Sequence, residues 1–299
     1  MRIVKVLGGL GNQMFQFALY KALQKQYPEE RVLLDLHCFN GYHKHRGFEI
    51  GSVFGVTYEK ATLKEVASLA YPYPNYQCWR IGSRILPVRK TMLKEEPNFT
   101  LEPSALSLPD STYYDGYWQH EEYFKHIREE ILSTYTFPTF ENERNKTTAQ
   151  LAASTNSCSI HIRRGDYLTD PLRKGTTNGN YVIAAIKEMQ QEVKPEKWLV
   201  FSDDIAWCQQ HLASTLDAKN TSYINWNTGA NSIHDMHLMA LCRHHIIANS
   251  SFSWWGAWLS QQNGITIAPS NWMNLKDVCS PVPDNWIKYE SDICSHISI

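Results

Sequence analysis

Residues 157–167, which read SCSIHIRRGDY, contain the clearest fold signal of this chain. The first half is short and mostly apolar, which predicts a strand that runs out of a sheet. Arg163, Arg164, Gly165 and Asp166 follow at the end of that strand. Arginine offers a planar fork of N–H donors that fits phosphate oxygens, and ligands of open α/β sheets bind at the carboxyl ends of strands. We therefore expect an anion site here. The alternative is a surface ion pair between one of the arginines and Asp166.

A glycine turn near the N-terminus predicts a second unit of strand, turn and helix. The apolar run Ile3–Leu7 precedes GGLGNQMFQ (residues 8–16), and a helical pattern continues over residues 12–27. Helix starts attract anions, so Gly11 and Asn12 are candidate ligand contacts. The spacing differs from the dinucleotide fingerprint G-x-G-x-x-G, and no lysine follows as in a P-loop.

A third cluster lies where a short strand, Ile246–Ala248, runs into small polar residues and then a bulky helix. Asn249, Ser250 and Ser251 are good helix N-caps. Either they cap the helix only, or their hydroxyls and the free N–H groups also hold a phosphate. The tryptophans that follow favour core packing, because the helix is apolar on all sides.

Four motifs, in this order, resemble those of the bacterial α-1,2-fucosyltransferases: GGLGNQMFQ, HIRRGDY, FSDD (residues 201–204) and ANSSFSWWGAWL (residues 248–259). The resemblance extends from Ile3 to Trp272. It implies an α/β chain of the GT-B type, with two Rossmann-like domains that face a central cleft. It also implies transfer of L-fucose from GDP-β-L-fucose to the 2-hydroxyl of a terminal β-galactose, with inversion and without a metal or other cofactor.

This chemistry assigns roles to the donor residues. Charge that builds on the β-phosphate must be neutralised, and the sequence has no D-x-D metal motif at a strand end. We expect Arg163 to clamp the β-phosphate, while Arg164 braces Asp166. By resemblance Asp204 accepts the guanine N–H groups, with His161 nearby. Asp203 and Asp204 are expected to divide this role and that of N-cap for the next helix.

The first half of the chain holds the other candidates. By resemblance, Asn12 touches the sugar or the bridging oxygen; the alternative is a helix N-cap. An inverting transfer normally needs a base for the acceptor hydroxyl. Four residues are candidates, and phosphate oxygens or water are alternatives; the candidates are Asp35, His37, Asp115 and His120.

His234 and His237 share one helix face but lack the three or four converging ligands of a zinc site. We expect no metal there; instead Asp235 and His237 brace the sheet or the nucleotide site.

Composition limits the class of protein. The chain has 299 residues, 43% hydrophobic and 20% charged, and a net charge of -1, which argues against a dedicated nucleic-acid binder. Seven scattered cysteines favour reduced thiols. No signal peptide is evident, and no apolar run approaches the roughly 18 residues that span a bilayer. We expect a cytoplasmic enzyme, or one that is peripheral on the inner face of the membrane.

The length suits two domains, and the polar segment between Thr136 and Asn156 is the best boundary. We expect an acceptor-side Rossmann-like domain over residues 1–150 and a GDP-fucose-binding one over residues 151–299. In the second half, strand and helix patterns alternate, which predicts a parallel sheet with helices on both faces. Residues 71–94 are expected to be irregular, and residues 121–133 to form one charged helix.

The irregular segment carries five basic residues and no acid; they are Arg80, Arg84, Arg89, Lys90 and Lys94. They either rest on an anionic membrane, bind a lipid pyrophosphate, or form a solvated basic face. The expected partners are GDP-fucose and a β-galactose-terminated oligosaccharide or lipid-linked glycan, and no nucleic acid. The rival functions are a fucosyltransferase of another linkage, a non-catalytic glycan-binding protein, and a nucleotide-dependent oxidoreductase.

Overall fold

All strands in residues 1–289, the part of the chain that the computed structural model describes, pair in parallel and form two sheets. Contacts divide the chain into two units, Met1–Thr136 and a second unit that begins at Phe137. No helix within residues 1–289 combines the length and the apolar character that crossing a membrane requires.

The first unit contains a four-stranded sheet in the order β2-β1-β4-β3. Its strands are β1 (Arg2–Lys5), β2 (Val32–Asp35), β3 (Met92–Lys94) and β4 (Thr112–Asp115). Its helices are α1 (Leu10–Gln26), α2 (Ile50–Phe54), α3 (Leu63–Leu69), α4 (Tyr76–Ile85) and α5 (Arg128–Thr134). Short 3-10 turns cover His37–Phe39, Pro103–Leu106, Glu121–Tyr123 and Lys125–Ile127.

The second unit contains a six-stranded sheet in the order β10-β9-β8-β5-β6-β7. Its strands are β5 (Ser157–Ile162), β6 (Lys197–Ser202), β7 (Thr221–Ile224), β8 (His244–Ile246), β9 (Thr266–Pro269) and β10 (Ile287–Tyr289). Its helices are α6 (Glu143–Ser154), α7 (Gly179–Glu192), α8 (Ile205–Leu212), α9 (Ile233–Leu241) and α10 (Ser251–Trp258). Its 3-10 turns cover Asp166–Leu168, Ala218–Asn220 and Gly229–Ser232.

Helices cover both faces of this second sheet, as alternation predicted. Side chains of a strand point to opposite faces in turn. On β6, Val200 packs with α7 and α8 residues such as Ile186 and Leu212. Its neighbour Leu199 packs on the other face with Leu238 of α9. The strand is therefore buried on both faces, which explains its continuous apolar sequence.

The division between the units falls earlier in the chain than residue 150, where the sequence placed it. Helix α6 packs on the second unit: the Asn145 amide donates to Asn227 Oδ1 at 2.8 Å, and Ala152 lies in the core cluster with Leu199. The polar composition of this segment is that of a half-exposed helix that packs on the second unit.

Two local predictions are wrong. The segment 71–94 is not irregular, because Asn75 caps helix α4 through the backbone N–H of Cys78 and β3 follows. Residues 121–133 do not form one helix. Two 3-10 turns precede α5, and Phe124, with ψ near 0°, separates the first from the second.

Candidate functional site

The carboxyl ends of three neighbouring strands bring the arginine, Asp-Asp and Asn-Ser-Ser motifs together in the second unit. Strand β5 pairs with β6 on one side and with β8 on the other. From β5 the chain order proceeds to β6 and β7 in one direction, and to β8 and β9 in the other. In open α/β sheets the crevice at such a switch point is the usual ligand site. The residues after β5, β6 and β8 thus form one candidate site.

Arg163 lies between two carboxylates in this site. Its Nε and Nη2 contact Asp166 Oδ1 at 3.2 and 2.9 Å, and its Nη1 contacts Asp203 Oδ2 at 3.1 Å. Its side chain is 39% exposed. Each terminal nitrogen of a guanidinium carries two N–H groups, so donors remain for a ligand. The surface ion pair that was the alternative interpretation of the motif is therefore present, and it holds the guanidinium in place.

Arg164 makes different contacts, and the expectation that it braces Asp166 is wrong. Its backbone N–H donates to Asp203 Oδ1 at 2.9 Å, and its Nε donates to Asp204 Oδ2 at 3.1 Å. Its guanidinium lies 4.0 Å from the centre of the Trp207 ring. The side chain thus reaches towards α8, whereas Asp166, three residues after Arg163, turns back onto Arg163.

Asp204 is the N-cap of α8: its Oδ1 accepts the backbone N–H of Trp207 at 3.1 Å. That bond, followed by Arg164, lowers the pKa of Asp204. Asp203 has no capping role and instead links Arg163 to the backbone of Arg164. A Cβ on Gly165 would lie 2.6 Å from Asp203 Oδ2, so the loop passes close to this carboxylate and a side chain at position 165 would displace it.

His161, the fifth residue of β5, is neutral at physiological pH. Burial, and next the charge of Arg163, lower its pKa to about 4. Its Nδ1 is buried and has no hydrogen-bond partner within residues 1–289. The ring lies 6.0 Å from that of Phe252 in the first turn of α10. A buried imidazole without a partner at a strand end indicates a group that a ligand can satisfy.

The Asn-Ser-Ser segment is only partly available to a ligand. The Asn249 side chain donates to the Trp272 carbonyl at 3.0 Å and accepts from Thr177 Oγ1 at 3.1 Å. Ser250 is the N-cap residue of α10, but its side chain does not cap the helix, and Ser250 and Ser251 are half-buried. The capping interpretation is therefore wrong: Ser250 holds the N-cap position without a side-chain hydrogen bond, and the Asn249 side chain bonds elsewhere. The tryptophans of α10 are buried in the core, as expected.

In the first unit, the glycine turn presents Asn12 in the first turn of α1. The N-cap is Gly9, so the interpretation of Asn12 as an N-cap is wrong. Gln119 Nε2 donates to Asn12 Oδ1 at 2.8 Å, which leaves the Asn12 amide N–H groups without a partner within residues 1–289. Gly11 is buried beside it. Gly8 has φ +102°, and a Cβ there would lie 2.8 Å from Asn12 Nδ2, so this turn also requires glycine.

Two buried glutamines that hold the turn, Gln13 and Gln16, were missed from the sequence. Gln13 Nε2 donates to the carbonyls of Gly8 and Gly47, and Gln16 Nε2 donates to that of Gly116. Both glutamines are fully buried. The two glutamines are three residues apart on one helix face in an otherwise apolar run. This spacing is the signal that indicates a pair of buried side chains that hold neighbouring backbone by hydrogen bonds.

Glu95 was also missed. It follows β3 and accepts the backbone N–H groups of Tyr117 and Trp118 at 2.6 and 2.8 Å. Burial raises the pKa of Glu95 to about 7 despite these donors. Trp118 has φ +57°, a conformation that few non-glycine residues adopt. Glu95 therefore holds the strained loop that carries Gln119.

Asp35 and His37 form a dyad at the carboxyl edge of the first sheet. His37 Nδ1 donates to Asp35 Oδ1 at 2.7 Å, and the Tyr113 hydroxyl donates to Asp35 Oδ2 at 2.7 Å. Burial alone would raise the pKa of Asp35, but the bonds from His37 and Tyr113 outweigh it and lower the pKa. The dyad fixes the His37 tautomer and leaves its Nε2 as an acceptor.

Asp115 and His120 are already engaged. Asp115 is buried in an ion pair with Lys5, whose ammonium lies 4.1 Å from the centre of a Trp79 ring. His120 Nδ1 accepts the backbone N–H of Glu122 at 3.2 Å. In His37, by contrast, the Nδ1 contact with Asp35 orients the ring, and its side chain is 13% exposed.

His234 and His237 lie in an aromatic environment. The ring of His237 stacks between Phe137 and Phe140, at 4.5 and 4.2 Å. Asp235 accepts from the Asn227 amide at 2.8 Å. Within residues 1–289, no three His, Cys, Asp or Glu side chains are grouped as a metal site.

Comparisons with known proteins agree with this geometry. The model of the family described as Glycosyl transferase family 11 matches residues 98–289. An α-1,2-colitosyltransferase of Escherichia coli is 33% identical over 96% of this chain and 98% of its own length. Galactoside alpha-(1,2)-fucosyltransferase 2 of Pongo pygmaeus is 22% identical over 89% of this chain and 71% of its own.

A solved structure shows the same fold. The fucosyltransferase NodZ from Bradyrhizobium superposes with a TM-score of 0.51 at 15% identity, over 85% of this chain and 91% of that one. The expected fold of the GT-B glycosyltransferases is thereby confirmed. The chain is a glycosyltransferase and belongs to glycosyl transferase family 11.

Proposed function

We propose that the protein transfers L-fucose from GDP-β-L-fucose to the 2-hydroxyl of a terminal β-galactoside, with inversion and an α-1,2 linkage. The observation that carries the proposal is the meeting of the arginine and Asp-Asp motifs at adjacent ends of β5 and β6 in a chain of this family. The α-1,2 relatives support the linkage.

The second unit binds the donor in this proposal. Arg163 uses its remaining N–H groups on the β-phosphate and stabilises the departing GDP, so no metal or other cofactor is required. Of the two aspartates, Asp204 has the more exposed side chain, 39% against 24%, and we assign it to guanine in addition to its N-cap role, so the two aspartates do not divide these roles as expected. The start of α10, at Ser250 and Ser251, completes the site with its helix-start backbone N–H groups. His161 and Asn249 lie beside these groups as further contacts to the donor.

The first unit supplies Asn12 and the acceptor side. The Asn12 amide donates to the bridging oxygen, and Gly11 lets the backbone approach. His37 Nε2 removes the proton of the acceptor hydroxyl, while Asp35 orients the ring and stabilises its charged form. Asp115 contributes to this edge of the first sheet through its ion pair with Lys5. His120 contributes through the loop after β4, where it accepts the backbone N–H of Glu122.

The acceptor is a β-galactose-terminated oligosaccharide or lipid-linked glycan of a surface polysaccharide. We place the reaction in the cytoplasm, with peripheral contact to the inner face of the membrane. The scattered cysteines support a reducing compartment; those at positions 38, 78, 158, 208, 242 and 279 form no disulfide in the structure.

The test incubates the protein with GDP-fucose and lactose and follows free GDP and the linkage of the product. Formation of α-1,2-fucosyl-lactose supports the proposal, and a product with another linkage contradicts it. Sugar binding without consumption of GDP-fucose would indicate a lectin, and NAD(P) binding an oxidoreductase. GDP-colitose is a necessary second donor, because the relative with 33% identity is a colitosyltransferase.

A further inference from the structure

Helix α4 and the residues after it form an exposed apolar surface. Ile81 and Ile85 are 60% and 73% exposed, and Leu86 and Val88 are also exposed. Single exposed apolar residues are ordinary, but a contiguous group marks an interaction surface. We call these four residues the apolar patch.

The helix turns this patch outwards. Tyr76, Trp79 and Ser83 share one side of α4 and are half-buried, while Ile81 and Ile85, four residues apart, share the opposite side. No residue of α4 is fully buried. The helix is thus amphipathic, as are helices that lie in the plane of a membrane–water interface.

Positive charge flanks the patch. Between Val66 and Lys94 the sequence has five Lys or Arg residues and no Asp or Glu. Arg80, Arg84 and Lys90 are exposed, and none of the three forms an ion pair within residues 1–289. Arg80 and Arg84 lie four residues apart, so they form a row along the flank of the isoleucines.

The surface is held in place by the rest of the first unit. The Tyr76 backbone N–H donates to the Asn40 carbonyl at 2.9 Å, and Gln77 Nε2 donates to that of Gly41 at 3.1 Å. At the other end, Arg89 Nη1 donates to the carbonyls of Ala67 and Ala70. The apolar patch is therefore a preformed surface.

We propose that the apolar patch docks on an anionic lipid bilayer. Isoleucine side chains suit the boundary between headgroups and acyl chains, while the arginines reach lipid phosphates through their long stems. Each basic residue near an anionic leaflet adds to the attraction. A row of cations without any acid is complementary to a negatively charged lipid surface. This charge complementarity is the reason to expect an anionic bilayer as the partner of the patch.

The docking surface adjoins the acceptor edge of the same unit. Trp79, on the inner side of α4, packs on Lys5, which pairs with Asp115 at the end of β4. A glycan whose lipid anchor lies in the membrane would therefore be presented beside this edge. This last consequence depends on the transferase activity proposed above; the docking gives the membrane contact proposed there a surface, and it does not depend on that activity.

Sedimentation with phosphatidylcholine vesicles, with and without phosphatidylglycerol, tests the proposal. The wild-type chain should bind the anionic vesicles and be released by salt. Ile81→Ser/Ile85→Ser and Arg80→Gln/Arg84→Gln should each weaken binding by about tenfold or more. Leu63→Ser/Lys64→Gln is the matched control, because it removes an exposed leucine and lysine elsewhere on the unit and should change nothing.

A second measurement reports on the patch itself. Cys78 is exposed beside Ile81 and can carry an environment-sensitive dye in a Cys279→Ser/Cys294→Ser background. Anionic vesicles should shift its emission to the blue. An unshifted dye, equal binding to neutral vesicles, or self-association that the isoleucine variants abolish would each overturn the proposal. Turnover of soluble lactose should be unchanged in these variants, which separates this result from failure of the proposed function.

Discussion

At the scale of single residues, Arg163 shows why charge alone does not describe the site. Its guanidinium touches Asp166 and Asp203 through three different nitrogens. Such a fork is fixed in direction, whereas a lysine ammonium is a point charge on a flexible stem. The carboxylates thus orient the donors that face a ligand.

Arg163→Lys should therefore lower kcat by roughly 10²- to 10³-fold, as expected when a preorganised donor to the leaving group is lost. Steady-state kinetics with GDP-fucose and lactose would measure it. Arg243→Lys, an exposed arginine just before β8, is the control. Near-normal turnover of Arg163→Lys would refute the assignment.

Asp204→Asn should reduce the preference for GDP over IDP, which lacks the 2-amino group, by about tenfold. Asparagine still caps α8, so the fold is retained while the charge is lost. Calorimetric titration of both nucleotides would measure the preference. If Asp203→Asn removes it instead, the roles of the two aspartates are reversed.

His37→Ala should lower kcat by roughly 10²-fold or more while the KM for GDP-fucose stays unchanged, because a base acts on the acceptor and not on donor binding. His43→Ala, an exposed histidine of the same loop region, serves as the matched variant. An unaltered kcat would leave phosphate oxygens or water as the base.

At the scale of elements, the loop after β4 depends on a carboxylate from the neighbouring strand β3. Glu95 accepts two N–H groups from this loop, and Gln119 of the loop in turn orients Asn12 at the start of α1. The folded state raises the pKa of Glu95 to about 7. Ionisation of Glu95 therefore lowers the stability of the fold. The stability that protonated Glu95 contributes is fully present below the unfolded pKa and is lost as the pH rises through about 7.

Compared with Glu95→Gln, the wild-type chain should become less stable by about 1–3 kcal/mol as the pH rises from 4.5 to 8. Urea unfolding of both chains at the two ends of this range would show it. Glu96→Gln, the exposed neighbour, should give no such trend. A difference that grows in favour of wild type with rising pH would contradict the explanation.

At the scale of the whole molecule, buried histidines make the second unit sensitive to acid. Burial lowers the pKa of His161 and His237 to about 4 and that of His245 to about 3. A histidine with a depressed pKa contributes stability above its unfolded value, near 6.5, and loses it as the pH falls through the folded value. All three belong to the second unit.

We expect the second unit to unfold as the pH falls from about 6.5 towards 4, and His237→Phe to move that transition to lower pH. Phenylalanine keeps the stack with Phe137 and Phe140 but cannot be protonated. Circular dichroism during acid titration would follow it. His211→Phe, which replaces a ring stacked on Trp207, is the control, and an equal shift in both variants would argue against the cause.

In the second unit, the order of the elements and the positions of the donor motifs followed from the sequence alone, because both depend on local patterns. Alternating strand and helix patterns specify a parallel sheet, and the ends of parallel strands lie at one edge, so Arg163 and Asp203 had to be near each other. The resemblance to the family was also visible in the sequence, because four motifs in the same order are far more specific than any one of them.

Only the tertiary structure decided which partner each side chain takes. Arg164 binds Asp204, and Gln119 orients Asn12. Lys5 pairs with Asp115. Glu95 accepts a hydrogen bond from the loop after β4, and no sequence pattern indicates that the two are neighbours. These contacts join residues far apart in the chain, and their energies depend on burial and direction, which local periodicity does not encode. The sequence therefore determined the family, the sheets and the edge of each sheet that holds the candidate residues, and the packing determined which of those residues remain available for chemistry.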